Sequence, residues 1–138
     1  MLNDSPRHQI AALPLRKKGK DIEILLISSR ETKRWIIPKG WPMDGLADHQ
    51  AAEREAFEEA GVEGKMGKIP IGFFAYDKRK KSGRLQPCDV TVYTLNVSKL
   101  CRDWPEKSER KRRWFSAEQA ASLVTDEGLS AVILATLT

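Results

Sequence analysis

Arg54-Glu55-Ala56-Phe57-Glu58-Glu59-Ala60-Gly61 is the stretch whose reading decides the fold. Asp48 ahead of it is a good N-cap and Gly61 a good C′ residue, so a helix is expected from near Asp48 to Gly61. At about 100° per residue, Glu55, Glu58 and Glu59 fall within an arc of roughly 100°, while Glu53 points nearly opposite to Glu55. Like charges three and four residues apart cost a plain helix a few tenths of a kcal/mol each. One reading is an exposed acidic face that tolerates this cost. The other is a site where hard divalent cations take carboxylate oxygens together with water and phosphate. The loop before the helix, Lys39-Gly40-Trp41-Pro42-Met43-Asp44-Gly45, feeds a helix N-terminus whose N–H groups favour phosphate.

Working outward, Gln9 to Leu15 and Asp21 to Ser29 read as strands across a turn at Lys17-Lys18-Gly19-Lys20. Trp35-Ile36-Ile37 is a short extended piece ended by Pro38. Ile69 to Tyr76 and Val90 to Val97 read as a hairpin joined by the basic loop Lys78 to Pro87. Ser116-Ala117-Glu118-Gln119 has the form of a capping box opening a helix. A last helix is expected to carry Leu129, Val132, Ile133 and Leu137 on one face. Strands on both sides of a central helix give an α/β layered domain. At 138 residues the chain suits one domain over 1–138.

Hydrophobic residues make up 41% and charged ones 31%, which excludes a disordered chain. No apolar run approaches a membrane span. The N-terminus, Met1 to Arg7, shows no export signal. Cys88 and Cys101 have neither metal-site nor disulfide spacing and read as reduced thiols of a cytoplasmic protein. His8 and His49 stand alone without metal spacing. The net charge of +5 gathers in Arg16 to Lys20, in Lys78 to Lys81 with Arg84, and in Arg110 to Arg113. Three such clusters suit a polyanionic ligand. Aromatic residues are not interleaved with them as in a stacking platform, so nucleic acid is not the expected partner. The oligomeric state is left open.

These residues reach a known pattern. Gly40, Arg54, Glu55, Ala56, Glu58, Glu59, Gly61 and Val62 match the Nudix signature G-x5-E-x7-R-E-U-x-E-E-x-G-U, U being aliphatic, at the family spacing. One position departs: the first acid of the signature falls at Leu46, with Asp44 and Asp48 nearby as partial substitutes. The chain therefore resembles Nudix hydrolases. The segments Ile24 to Arg30, Arg34 to Pro38, Asp103 to Glu106 and Arg110 to Phe115 resemble the diphosphoinositol polyphosphate phosphohydrolase branch.

The resemblance implies a single Nudix domain with an α/β/α sandwich, a mixed sheet and a catalytic helix following a loop. It also implies Mg²⁺, with Mn²⁺ an alternative, held by Glu55 and Glu59. Glu58 is either a third ligand or the base, and which Glu activates water stays open. Arg54 is implied to hold a carboxylate in place. Ser28, Arg30, Lys39, Gly40 and Trp41 are implied on the substrate, with Lys78, Arg79, Arg16 and Lys18 as further cations. The expected reaction is hydrolysis of a diphosphate bond in a small polyanion, either a diphosphoinositol polyphosphate or a dinucleoside polyphosphate. The alternatives are a non-catalytic polyanion sensor, for which Leu46 speaks, and an RNA-binding or cap-removing protein.

Overall fold

The computed structural model describes residues 5–137. Met1-Leu2-Asn3-Asp4, part of the segment read for an export signal, and Thr138 lie outside the described residues. The strands are β1 (Arg7–Lys18), β2 (Asp21–Ser28), β3 (Trp35–Ile36), β4 (Lys39–Gly40), β5 (Val62–Met66), β6 (Gly72–Arg79), β7 (Leu85–Leu100) and β8 (Arg112–Ser116). The helices are α1 (Asp48–Ala60), α2 (Ala117–Leu123) and α3 (Glu127–Ala135). No described helix is long and apolar enough to cross a membrane. One mixed sheet joins all eight strands: β1 runs parallel to β7, and the other pairings are antiparallel.

Alternation along the central strands explains the layering, because successive side chains leave opposite faces of a sheet. Ile10, Ala12, Leu25 and Ile27 pack with Ala51, Ala52, Ala56 and Ala60 of α1. Ala11, Leu13, Ile24 and Leu26 face the other way, onto α2 and α3 with Leu129, Val132 and Ile133. The result is the expected α/β/α sandwich. Small alanines on α1 let the helix lie close to the sheet, which fixes how far its carboxylates stand from the strands.

A local departure from regular pairing creates the site's floor. β1 and β2 pair only from Leu15↔Ile24 to Lys18↔Asp21. Beyond that they splay, and residues 35–40 fill the gap. Trp35 and Ile36 pair with Ser28 and Ile27 of β2, and Lys39 and Gly40 pair with Ala11 and Ile10 of β1. Ala12 N–H donates to the Pro38 carbonyl at 3.0 Å. Lys39-Gly40, expected in a loop, is therefore strand.

The C-terminal end of α1 is closed by groups far along the chain. Gly61 adopts φ 65° and its N–H donates to Phe57 O. The Trp104 ring lies where a Cβ on Gly61 would be, 2.4 Å from Cδ2. Arg112 Nη1 donates to the carbonyls of Ala60 (2.9 Å) and Gly61 (3.0 Å), and Nη2 to that of Cys101 (2.8 Å). Its guanidinium lies 3.9 Å from the centroid of the Trp104 ring. Carbonyls that a helix end leaves without partners are satisfied in this way.

Several boundaries differ from expectation. The N-cap of α1 is Ala47, in extended conformation, and Asp48 is the first helical residue. The capping contact comes from Gln50, whose side-chain oxygen accepts from Ala47 N–H at 2.8 Å. The basic loop is shorter than expected, since cross-strand pairs continue to Arg79↔Leu85, and β6 begins at Gly72 rather than Ile69. β5 and β8 had not been expected, because charged side chains on their exposed positions hide the strand pattern. Leu137 lies beyond the end of α3 and is exposed. The Ser116 box is present: Ser116 Oγ accepts from Gln119 N–H at 3.1 Å, and Gln119 Oε1 accepts from Ser116 N–H at 3.4 Å. Cys88 and Cys101 are both free and buried.

Gly61→Ala tests the closure of α1. Its positive φ alone costs an L-residue about 1–2 kcal/mol, and displacement of Trp104 adds to that. A lower urea midpoint with unchanged slope is expected. An unchanged midpoint would show that Trp104 does not pin the helix end.

Candidate active site

Two helix carboxylates meet the floor made by β4. Glu55 rests on Gly40 so closely that a Cβ there would lie 1.7 Å from Glu55 Oε2, which is the reason for glycine at this position. Glu59, only 8% exposed, accepts from the Lys39 backbone N–H at 3.4 Å. Arg110 Nη2 stands 3.9 Å from Glu59 Oε1. The same guanidinium pairs with Glu106 through Nε at 2.9 Å and donates from Nη1 to the Ser28 carbonyl at 3.1 Å. Glu106 is carried in by the segment between β7 and β8, where its N–H donates to Glu58 O at 3.0 Å. Neither Glu106 nor Arg110 had been expected here. The DWPE stretch and the basic run were visible, but nothing local marked which of their charges turns inward.

Burial and like charge act together on these acids. Burial pushes Glu59 up to about 8, helped by Glu55 and Glu106 and opposed by Arg110 and Lys39. Burial likewise raises Glu55 to about 7, with Glu58 and Glu106 adding repulsion. The Lys39 ammonium is lowered, chiefly by burial, with Glu59 and Asp126 holding it up against Lys78 and Arg110. Its Nζ lies 4.9 Å from the centroid of the Tyr76 ring, whose hydroxyl donates to the buried Gln9 at 2.6 Å. Among the described residues, no three carboxylate, histidine or cysteine groups stand as a ready-made cation cage. The grouping is a close pair, Glu55 and Glu59, with Glu58 and Glu106 beside it.

The other expected site residues fall into two sets. Lys39, Gly40 and, through Arg110, Ser28 adjoin the pair, with Arg30 at the rim, while Lys78 on β6 is tied to this group only by its repulsion of the Lys39 ammonium. Arg30 is ion-paired with Glu109 at 3.3 Å and also feels Glu106 and Glu59. Ser28 is buried, and its hydroxyl accepts from Lys111 N–H at 2.9 Å, so it orients the segment that carries Arg110. Trp41 is 39% exposed, with the Arg7 guanidinium 4.9 Å from the centroid of its ring.

The second set lies elsewhere. Arg16 is taken up by Glu23 (2.8 Å) and by the Trp114 ring (4.0 Å), and Lys18 sits at the β1–β2 turn opposite Asp21. Arg79 donates to Gly83 O in its own hairpin. Arg54 is exposed and makes no ion pair among the described residues; the guanidinium that meets Glu59 is that of Arg110. Arg54 and Leu46 line a groove of about 490 Å³ on the opposite flank of α1, with Gln50, Glu53 and Phe57. Leu46 is therefore remote from the carboxylate pair. Asp48, suggested as its substitute, is engaged by His8 at 3.4 Å.

The raised carboxyl of Glu59 has a measurable consequence. The folded chain keeps a proton up to about pH 8 that an ordinary carboxyl releases near 4.5, so stability falls as pH rises through that window. Glu59→Gln removes this liability. Without divalent cation, the variant is expected to be more stable than the parent at pH 8, by roughly 1–3 kcal/mol. The gap should close toward pH 5. Denaturant unfolding across pH checks this, and a variant less stable at pH 8 would overturn it.

With the geometry in place, comparison with known proteins adds the family. The NUDIX domain profile matches residues 6–136. Nudix hydrolase 12, mitochondrial, of Arabidopsis thaliana is 35% identical over 107 residues, which is 74% of this chain and 52% of that protein. Human diphosphoinositol polyphosphate phosphohydrolase 3-beta is 35% identical over 120 residues, 86% of this chain and 69% of the relative. The chain thus spans about half the length of the first and about two thirds of the second. In fold it is similar to a C. elegans Ap4A hydrolase binary complex, with a TM-score of 0.69 at 21% identity, covering 94% of each chain. On the profile match and these identities, the chain belongs to the Nudix hydrolase family.

Proposed function

We propose that this protein is a single-domain, Mg²⁺-dependent pyrophosphohydrolase acting on a small, strongly anionic diphosphate compound in the cytoplasm. The observation that carries the reading is the pair of half-buried Glu55 and buried Glu59, held on one helix face against the Lys39-Gly40 floor. The donor set fits a hard divalent cation. Two desolvated carboxylates repel each other and are pushed toward their protonated forms, a condition that Mg²⁺ or Mn²⁺ relieves. Glu55 and Glu59 would hold the ion, with Glu58 as a third oxygen or as the base. Such an ion supplies Lewis acidity toward phosphate oxygens and water.

The chain's own residues do the rest. Lys39 and Lys78 draw phosphate to the floor of the site, and Arg30 holds it at the rim. Arg110 keeps Glu59 and Glu106 in place, and the Ser28 hydroxyl fixes the backbone that carries Arg110. Trp41 forms a wall. Relatives named for diphosphoinositol polyphosphates and a fold neighbour named as an Ap4A hydrolase support two substrate candidates. The sensor alternative drew on Leu46. That residue lies across the helix from Glu55 and Glu59, so the carboxylate pair is intact without an acid there.

Incubation with Mg²⁺ and either a diphosphoinositol polyphosphate or a dinucleoside tetraphosphate, with products identified, tests the reading. Hydrolysis of at least one is expected. It should be lost on chelation and reduced by several orders of magnitude in Glu59→Gln. No product from either compound would sink it. Unchanged ligand binding in Glu59→Gln, without turnover in the parent, would favour the sensor.

A further inference from the structure

β1 enters the sheet through Arg7 and His8, ahead of the residues that build the core. His8 Nδ1 lies 2.8 Å from Asp89 Oδ1 on β7, and Nε2 lies 3.4 Å from Asp48 Oδ2 in the first turn of α1. Ionised carboxylates only accept hydrogen bonds. A neutral imidazole carries one N–H and one lone pair, so it serves one carboxylate and repels the other. Only the imidazolium donates to both.

From this geometry we infer that His8 is a positioning residue of the hydrolytic site, a cationic bridge tying the start of the catalytic helix to β7. The inference rests on the hydrolytic reading above. Its reach into the site follows from strand register. Two residues beyond His8, Ile10 pairs with Gly40, the residue on which Glu55 rests. One strand thus grips the helix at its first turn and supplies the partner of the floor beneath its carboxylates. Arg7, next to His8, lies over Trp41 of the intervening loop and reinforces the same hold.

The surrounding charges agree with a cation at this position. The Asp89 hydrogen bond is the largest influence and raises the imidazole above its ordinary value; burial opposes it, and Asp48 adds to it. Arg7 on the same strand is turned to Trp41. His49 of α1 lies beside Tyr93 of β7, at 6.2 Å between ring centroids, and β6 presents Ala75 opposite Asp89. A group raised on folding stabilises below its unfolded pKa and loses that contribution as pH rises through the folded one. The helix start is therefore held most firmly in mildly acidic to neutral solution and loosens in alkali. All three side chains are partly exposed, so high salt weakens the bridge.

The chain has two histidines, which makes the test clean. Long-range ¹H–¹⁵N spectra of the full chain, with His49→Asn assigning the other ring, follow His8 from pH 5 to 9. Protonation of both ring nitrogens is expected to persist above the usual imidazole midpoint. Asp89→Asn should lower that midpoint more than Asp48→Asn. In parallel, His8→Gln is expected to reduce kcat several-fold near pH 6.5 with KM little changed. His8→Lys should restore kcat and hold it at alkaline pH, where the parent declines. A mere folding defect would lower the active fraction without moving the alkaline limb. An ordinary His8 midpoint, or a His8→Gln profile matching the parent at every pH, overturns the proposal. A raised midpoint in a chain that cleaves no diphosphate marks failure of the hydrolytic reading and takes the positioning role with it.

Discussion

The C-terminal end of α1 ends in carbonyls that need donors, and Arg112 provides them. Its guanidinium joins the last helical turn to the end of β7 while stacking on Trp104, which in turn fills the space over Gly61. A cation at a helix C-terminus is also favoured by the macrodipole. The consequence reaches the site because the same segment, residues 101–111, carries Glu106 and Arg110. Closing the helix end and assembling the charges beside Glu59 are one packing event. A chain that failed to dock Trp104 would leave the acids without Arg110.

The site itself is a place where stability is given up. Glu55 and Glu59 are desolvated next to each other, and the folded chain answers partly with Arg110 and partly by keeping protons. Such conflicts between local rules and the fold are expected where a protein does chemistry. The helix can carry the strain because Ala51, Ala52, Ala56 and Ala60, on the same sheet-facing side as the acids, pack it closely onto Ile10, Ala12, Leu25 and Ile27.

Legibility in the sequence followed the range of the interactions. The helix, its glycine stop and the Ser116 box were visible because they depend on residues within a few positions of one another. The carboxylate arc was visible for the same reason. Arg110 was hidden, since a basic run reads alike whether its members face water or one of them is turned inward to Glu59. Arg16 illustrates the reverse. Its sequence context suggests a phosphate cation, but cross-strand register sets it opposite Glu23, and Trp114 covers it. β8 is obscured by Arg112 and Arg113, whose guanidinium groups lie against the Trp104 and Trp35 rings. His8 stands solitary in the sequence because its partners are 40 and 81 positions away.

The splaying of β1 from β2 has a consequence for how this protein can vary. The floor under Glu55 and Glu59 is made of main chain, with the Lys39 N–H and the bare Gly40 Cα as its working surfaces. Main-chain geometry survives most substitutions of side chains, so the acids keep their footing while neighbouring positions drift. The side chains standing around that floor, Lys39 and Arg30 among them, thus form a part of the molecule where ligand preference can be rewritten independently of reaction chemistry. Descendants of such a scaffold would be expected to diverge in what they cleave long before they lose the ability to cleave.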